Sequence, residues 1–149
     1  MTTSRPPTKA PRRGDYRHFL AIPTRWMDND VYAHVNNVTY YSYFDTAVNQ
    51  HLVAHGGLRP DSDPVVGYVV ETNCRYLAPI AFPQVVDAGL RVMRMGRSSV
   101  VYEIGIFVAG TDECAAFGRF VHVWVERATN RPADIPPGIR AALAPLVVE

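Results

Sequence analysis

The chain has 149 residues, of which 48% are hydrophobic, a composition that fits one folded domain with a substantial core and excludes a disordered protein. Its formal net charge is only +1, and its apolar runs are much shorter than the ~20 residues of a membrane-spanning helix. We therefore expect neither a strongly basic nucleic-acid-binding domain nor a membrane-spanning protein.

The first 14 residues differ in charge from the rest of the chain. They carry four basic side chains, three prolines and no acidic residue, whereas residues 15–149 hold 11 basic and 14 acidic side chains. We predict a disordered basic tail over residues 1–14 and a single domain over residues 15–149. The tail lacks the apolar segment of a secretory signal, so we expect a cytoplasmic protein.

A strand and a long helix come next. Aromatic and aliphatic side chains over residues 16–26 predict a strand, and a polar stretch follows. Apolar residues recur at three- and four-residue steps over residues 37–55, which predicts a helix that ends at two consecutive glycines. We expect Asn36 or Asn37 to cap its first turn, because an asparagine side chain accepts hydrogen bonds from free backbone amides. The helix has one acidic and no lysine or arginine side chain, so we expect it to be covered on most sides.

The second half of the chain predicts strands joined by tight turns. The predicted strands span residues 65–77, 85–95, 98–108 and 115–126, and a short helix begins at the prolines of residues 136–137 and reaches about residue 143. Closely spaced hairpins favour an antiparallel sheet. The order of elements therefore predicts an α+β fold in which a curved antiparallel sheet of about five strands wraps around one long helix.

Five polar residues that could carry chemistry lie directly before the predicted helix, namely Asp28, Asp30, His34, Asn36 and Asn37. The free amides and partial positive charge of a helix N-terminus can polarise a carbonyl and stabilise an oxyanion. A carboxylate beside that point can act as nucleophile or general base. The aspartates could equally form Asx-turns, and the histidine could be structural. A metal held by Asp28, Asp30 and His34 would need a fourth ligand at a recognisable spacing, so we predict neither a metal nor another cofactor.

These residues resemble the signature of a known family. The segment from Arg25 to Phe44 is similar to the motif of the 4-hydroxybenzoyl-CoA thioesterase-like branch of the hotdog superfamily. Within it, the run Asp-Val-Tyr-x-His-Val-Asn-Asn-x-x-Tyr that begins at Asp30 is similar to the bacterial long-chain acyl-CoA thioesterases. The resemblance covers roughly residues 16–146 and continues at residues 75–79, 96–99 and 135–137. It implies a hotdog fold and the hydrolysis of an acyl-CoA thioester.

The resemblance also implies roles for individual residues. Asp30 matches the catalytic carboxylate of the family, and Asn37 matches the position whose backbone N–H faces the thioester oxygen. His34 and Asn36 fall in the loop that shapes the mouth of the active site, which implies supporting roles. Asp28 matches the first acid of the motif, for which we expect a structural role.

Residues that would contact the rest of the substrate are indicated less sharply. Arg97, with Ser98 and Ser99 at a tight turn, could bind the phosphates of CoA, because arginine binds phosphate with two hydrogen bonds. An ordinary solvated hairpin explains the same residues equally well. Tyr40 and Tyr41 could line the acyl pocket, although aromatic side chains at such spacing also belong to a core.

The resemblance implies a homodimer whose two sheets join edge to edge, with the active site between the subunits, and we expect such dimers to pair into a tetramer. Two alternatives remain open at this point. One is a hotdog hydratase or dehydratase, whose Asp–His pair has a different spacing. The other is a domain that binds acyl-CoA without turning it over. An acyl-carrier-protein thioester also remains open as the substrate.

Overall fold

A computed structural model describes residues 9–148 of the protein as one antiparallel sheet, one long helix and a short C-terminal helix. The strands are β1 (His18–Pro23), β2 (Val65–Thr72), β3 (Arg75–Tyr76), β4 (Val85–Met95), β5 (Ser99–Val108) and β6 (Cys114–Glu126), and the helices are α1 (Thr39–Gly56) and α2 (Pro137–Leu143). None of the helices in the described part of the chain has the length and apolar character needed to cross a membrane.

The main path of the sheet has the strand order β1-β4-β5-β6-β2, and the two-residue strand β3 also pairs with β6. Every pairing is antiparallel. The curved sheet packs around α1, as the predicted α+β hotdog architecture requires. Strands β1 and β2 form the two ends of the path, so within residues 9–148 each has one edge without a neighbouring strand.

The core lies between α1 and the sheet face that contacts it. On β4 the alternate residues Val86, Ala88, Leu90 and Val92 are completely buried, as the predicted period of two requires. They pack against apolar side chains of α1, which include Leu52. Completely burying one such aliphatic side chain stabilises the fold by about 1.5–3 kcal/mol, so this interface dominates the stability of the domain.

The start of α1 differs from the prediction. The helix begins at Thr39, and the residue before it, Val38, occupies the cap position without a side-chain hydrogen bond. The expected cap residue Asn36 lies two residues before the cap position, and its Oδ1 accepts a hydrogen bond from the N–H of Val38 at 3.2 Å. The prediction that Asn36 or Asn37 caps α1 is therefore wrong. The predicted end is confirmed, because Gly57 has a left-handed φ of 68°.

Two predicted strands are too long. The first ends at Pro23, because Trp26–Asp28 forms a turn of 3-10 helix. The predicted strand of residues 65–77 is interrupted at Asn73, whose N–H and Oδ1 bond to the backbone of Arg119 at 3.0 and 3.1 Å. The carbonyl oxygen of Asn73 occupies the space that a Cβ atom at Gly118 would need. Asn73 thus bends the chain tightly against β6, which a pattern of apolar residues does not reveal.

The described part of the chain includes the last residues of the predicted basic tail. Arg13 lies in a turn of 3-10 helix and donates hydrogen bonds to the Asp87 carboxylate on β4, at 2.8 Å, and to the carbonyl of Thr111, at 2.9 Å. The chain therefore contacts the sheet before the predicted boundary at residue 15. Residues 1–8, and residue 149, lie outside the described residues, and the disorder of the tail stays a prediction.

Candidate functional site

Asp28 fixes the polar loop that joins β1 to α1. Its side chain is 1% exposed, and its carboxylate accepts hydrogen bonds from the Arg25 N–H and the Tyr43 hydroxyl, both at 2.8 Å. Burial alone would raise the pKa of this carboxyl, but these hydrogen bonds and the nearby Arg25 guanidinium outweigh burial and lower the pKa. This environment agrees with the structural role expected for Asp28.

Asp30, the expected catalytic carboxylate, is half-buried at the start of a tight turn. Its N–H donates to the carbonyl of His34 at 2.8 Å, and its carbonyl accepts from the N–H of Ala33, which has a φ of 63°. Its Oδ1 accepts from the N–H of Tyr32 at 2.9 Å, which is an Asx-turn. The other oxygen, Oδ2, has no hydrogen-bond partner within residues 9–148. The turn therefore orients the carboxylate and leaves one oxygen available to a reactant.

Asn37 immediately precedes the first turn of α1. Its carbonyl accepts a hydrogen bond from the Tyr76 hydroxyl at 2.8 Å, which ties the start of the helix to β3. Its own N–H donates to no residue in the described part of the chain. A free N–H at this end of a helix adds to the partial positive charge of the helix dipole. Asn37 can therefore donate a hydrogen bond to a carbonyl oxygen, the role implied for this position.

His34 and Asn36 separate these two residues. The His34 side chain is exposed, and its carbonyl receives the hydrogen bond from Asp30. Asn36 is half-buried, its N–H donates to the carbonyl of Asp28 at 2.8 Å, and its carbonyl accepts from Thr39 at 2.9 Å. Asn36 therefore shapes the backbone before the helix, whereas the His34 side chain is free to contact a ligand.

The candidate site consists of two open grooves on either side of the loop. The first, termed the Asn37 groove, has a volume of about 320 Å³ and is lined by residues that include His34, Asn37, Tyr40, Tyr76 and Pro79. The second, termed the Asp30 groove, has a volume of about 390 Å³ and is lined by Trp26, Asn29, Asp30, Val31 and Ala33. Asp30 and Asn37 thus face different grooves. The grooves are neighbours, because the Asp30 N–H in the wall of one donates a hydrogen bond to the carbonyl of His34 in the wall of the other.

The two tyrosines expected at the acyl pocket differ in position. Tyr40 lines the Asn37 groove and is 3% exposed, and burial raises the pKa of its hydroxyl to about 12. Tyr41 is half-buried and packs its ring edge-on against Phe44 in the core. Of these two tyrosines, Tyr40 is therefore the one placed to contact a ligand in that groove.

The expected phosphate-binding turn lies at the other end of the sheet. Arg97, Ser98 and Ser99 follow β4, whereas the polar loop begins beside the start of β4, where Thr24 bonds to Gln84. The 11 residues of β4 at ~3.3 Å each put about 35 Å between its ends. Arg97 is exposed and forms an ion pair with Asp134. A single chain does not bring this turn together with Asp30 and Asn37.

Two hydrogen bonds that hold the site in place were not predicted from the sequence. The Asp28–Tyr43 hydrogen bond spans 15 residues, and the Tyr76–Asn37 hydrogen bond spans 39 residues. The aromatic character of Tyr43 and Tyr76 gave no indication that their hydroxyls hold the loop. The buried acid Asp28 was the one available signal, because a carboxylate that is buried needs a donor.

Comparisons with known proteins agree with this fold and identify the family of the chain. The profile of the Thioesterase-like superfamily matches residues 24–143, which include the whole polar loop and α1. The crystal structure of the PA5185 protein from Pseudomonas aeruginosa strain PAO1 is 54% identical, with a TM-score of 0.93, and the match covers 95% of this chain and 99% of that chain. A comparison with curated proteins finds no match.

Two further solved structures extend the similarity. PA2801 of Pseudomonas aeruginosa, provisionally assigned as a thioesterase, is 33% identical over 87% of this chain and 99% of its own, with a TM-score of 0.80. A DHNA-CoA thioesterase from Staphylococcus aureus is 20% identical over 83% of this chain and 86% of its own, with a TM-score of 0.73, and supports the fold alone. The fold and loop define a small hotdog protein of the thioesterase class. The chain belongs to the Thioesterase-like superfamily, which supports thioester hydrolysis as its general activity.

Proposed function

We propose that the protein hydrolyses acyl-CoA thioesters as a member of the 4-hydroxybenzoyl-CoA thioesterase-like branch, with Asp30 as its catalytic carboxylate. The observation that carries this proposal is that one short loop holds a free backbone N–H and a carboxylate with one free oxygen, in neighbouring grooves. Asn37 offers its N–H at the start of α1, and Asp30 keeps Oδ2 available in the adjacent turn. Such a pair provides both an oxyanion donor and a nucleophile or base.

The reaction begins when the thioester carbonyl accepts a hydrogen bond from the Asn37 N–H at the positive end of α1. In one route, Asp30 attacks this carbonyl, the C–S bond breaks, CoA leaves as a thiolate, and water hydrolyses the mixed anhydride. In the other, Asp30 takes a proton from a water molecule that attacks the carbonyl directly. Both routes yield a carboxylic acid and CoA, and both need the same two groups. We assign His34 and Asn36 supporting roles in shaping the mouth of the site.

The acyl group is proposed to lie in the Asn37 groove. Tyr40 and Tyr76 supply aromatic surface there, and Leu77 and Pro79 add apolar contacts. The groove is open to solvent in a single chain, so a long acyl group would leave much of its surface exposed to water. Covering that surface by a second subunit would favour binding, because burial of apolar area is the main driving force.

We propose that the working protein is a homodimer, which can pair further into a tetramer. Val69 and Val70 lie exposed on the edge strand β2, and Val31 and Tyr32 are exposed at the tip of the polar loop. An apolar edge strand is a surface that pairs readily with another strand. In such a dimer, the Arg97 turn that binds CoA phosphates would belong to the other subunit. A monomer in sedimentation experiments at the enzyme concentration of the assay would contradict this arrangement.

The test is thiol release from a panel of acyl-CoA and acyl-carrier-protein thioesters. We expect Asp30→Ala and Asp30→Asn to lower kcat by about 10²–10⁴-fold, the usual contribution of a positioned base. Asp61→Asn is the matched control, because Asp61 is an exposed acid in the loop before β2. Its rate should equal that of the wild type. Near-wild-type hydrolysis by Asp30→Ala would refute the assignment.

Other results would separate the alternatives. Tight acyl-CoA binding without thiol release by the wild type would favour a binding domain. Hydration of enoyl-CoA without thioester cleavage would favour a hydratase. In a single turnover in ¹⁸O-labelled water, the appearance of label in Asp30 would identify the nucleophilic route, because a pure general base does not incorporate oxygen from water.

A further inference from the structure

Three histidines cluster at the end of α1 that is remote from the candidate site. His51 and His55 lie four residues apart on one face of the helix, and His18 projects from β1. His18 pairs with Leu90, and cross-strand partners point to the same side of a sheet, so His18 faces α1. One ring nitrogen of each histidine lies within 4.8 Å of the other two. The Asp30–Asn37 chemistry uses none of these residues.

His51 has the hydrogen-bonding arrangement of a metal ligand. Its side chain is 5% exposed, and its Nε2–H donates to the carbonyl of Ala142 at 3.0 Å. The opposite nitrogen, Nδ1, is therefore unprotonated, and it is buried without a hydrogen-bond partner in the described part of the chain. A buried acceptor without a partner is energetically costly, so a ligand that bonds to it would be favoured. Histidines that bind metals commonly donate their other N–H to a backbone carbonyl in this way.

The cluster lies at the negative end of α1, and its three rings are close together. His51 and His55 lie in the last two turns of α1, where the helix dipole is negative. Burial, with repulsion from the neighbouring imidazoles, lowers the pKa of His18 and of His51. Neutral imidazoles are the form that binds metal ions. The rings also lie close together, with centroids 4.7 Å apart for His51 and His55 and 4.8 Å apart for His18 and His51.

We propose that His18, His51 and His55 form a binding site for a Zn²⁺-type transition-metal ion. Three imidazoles match the ligand preference of zinc, whereas Mg²⁺ and Ca²⁺ prefer oxygen ligands. Zinc–nitrogen bonds of about 2.0–2.1 Å require ligand atoms roughly 3.4 Å apart in a tetrahedron. The cluster must therefore contract slightly on binding, and the exposed side chain of His55 has the freedom to rotate inward. Water or another small ligand occupies the fourth position.

The bound ion links β1 to the C-terminal end of α1. At ~1.5 Å per residue, His51 and His55 lie about 18 and 24 Å along the helix from its first residue, Thr39. The ion is therefore too far away to take part in chemistry at Asn37. Its effect is on stability, because a ligand that binds only the folded chain raises the free energy of unfolding with its concentration.

The experiment titrates ZnCl₂ into tag-free protein that has been treated with a chelator, with calorimetry to measure binding and thermal unfolding to measure stability. We expect one ion per chain and a Tm that rises with the zinc concentration. Co²⁺ in place of Zn²⁺ should give visible absorption bands of the intensity that tetrahedral coordination produces. Mg²⁺ at the same concentration should neither bind in the calorimeter nor raise the Tm.

The histidine variants decide whether the cluster is responsible. His55→Gln and His18→Gln should each weaken zinc binding at least tenfold. Neither substitution leaves a cavity in the core, because both side chains reach solvent. His34→Gln is the matched control, since it removes an exposed histidine from the opposite end of α1, and it should bind zinc as the wild type does. Absence of saturable binding by the wild type, or equal binding by His55→Gln, would overturn the proposal.

Discussion

Removing the Asp28 carboxylate should destabilise the fold by about 3 kcal/mol. The carboxylate accepts hydrogen bonds from the Tyr43 hydroxyl and the Arg25 backbone N–H, both at 2.8 Å. A hydrogen bond to a charged group contributes about 1.5–3 kcal/mol, and a buried hydroxyl left without its partner costs about 1–3 kcal/mol. The Arg25 guanidinium adds little, because its side chain is 63% exposed. Asp28→Ala should therefore lower Tm by about 6–12 °C.

The assay is urea unfolding followed by tryptophan fluorescence in a double-mutant cycle of Asp28→Ala and Tyr43→Phe, at one fixed protein concentration. Tyr43→Phe removes the hydroxyl that Asp28→Ala leaves unsatisfied, so the double variant should be less destabilised than the sum of the single variants. We expect a coupling energy of at least about 1 kcal/mol between the two side chains. A coupling energy near zero would show that the buried hydrogen bond does not hold the loop on α1.

Two further predictions concern Tyr76 and His122. Tyr76→Phe removes the hydrogen bond to the Asn37 carbonyl and should lower kcat/KM for thioester hydrolysis about tenfold. Tyr68→Phe, an equally exposed tyrosine on β2, is its control, and equal losses in both variants would contradict a positioning role. Burial lowers the pKa of His122 from 6.5 to about 4, so its contribution to stability is full above pH 6.5 and is lost as the pH falls towards 4. Between pH 7.5 and 4.5, the unfolding free energy of His122→Gln should fall by about 2–3 kcal/mol less than that of the wild type. Equal losses in the two proteins would contradict the predicted role of His122.

The fold could be predicted from the sequence because its main elements carry strong periodic patterns. The alternation along β4 and the three- and four-residue steps along α1 each specify one buried face, and both are confirmed. The misplaced boundaries lie where hydrogen bonds with distant residues decide the backbone. Asn73 interrupts the predicted strand through its contact with Arg119, and a pattern of neighbouring residues carries no information about that partner.

The candidate site could be predicted only in its local part. Asp30 and Asn37 lie within eight consecutive residues, so a motif could single out both as candidates. Their relation in space depends on the turn at Ala33 and on the Tyr76 hydroxyl, which a short motif does not contain. The histidine cluster was missed for the same reason, since His18 lies more than 30 residues before its partners in the chain.

The separation between the polar loop and the Arg97 turn bears on how the proposed thioesterase would work. One acyl-CoA carries its thioester and its phosphates on the same molecule, yet β4 places the two groups of residues at opposite ends of the sheet. If both groups bind the same substrate, we propose that they come from different chains. The apolar edge of β2 offers the surface on which a second chain can add its sheet. Phosphate recognition by Arg97 and dimerisation are thus one proposal, because a lone chain holds the Arg97 turn at the far end of β4 from the polar loop.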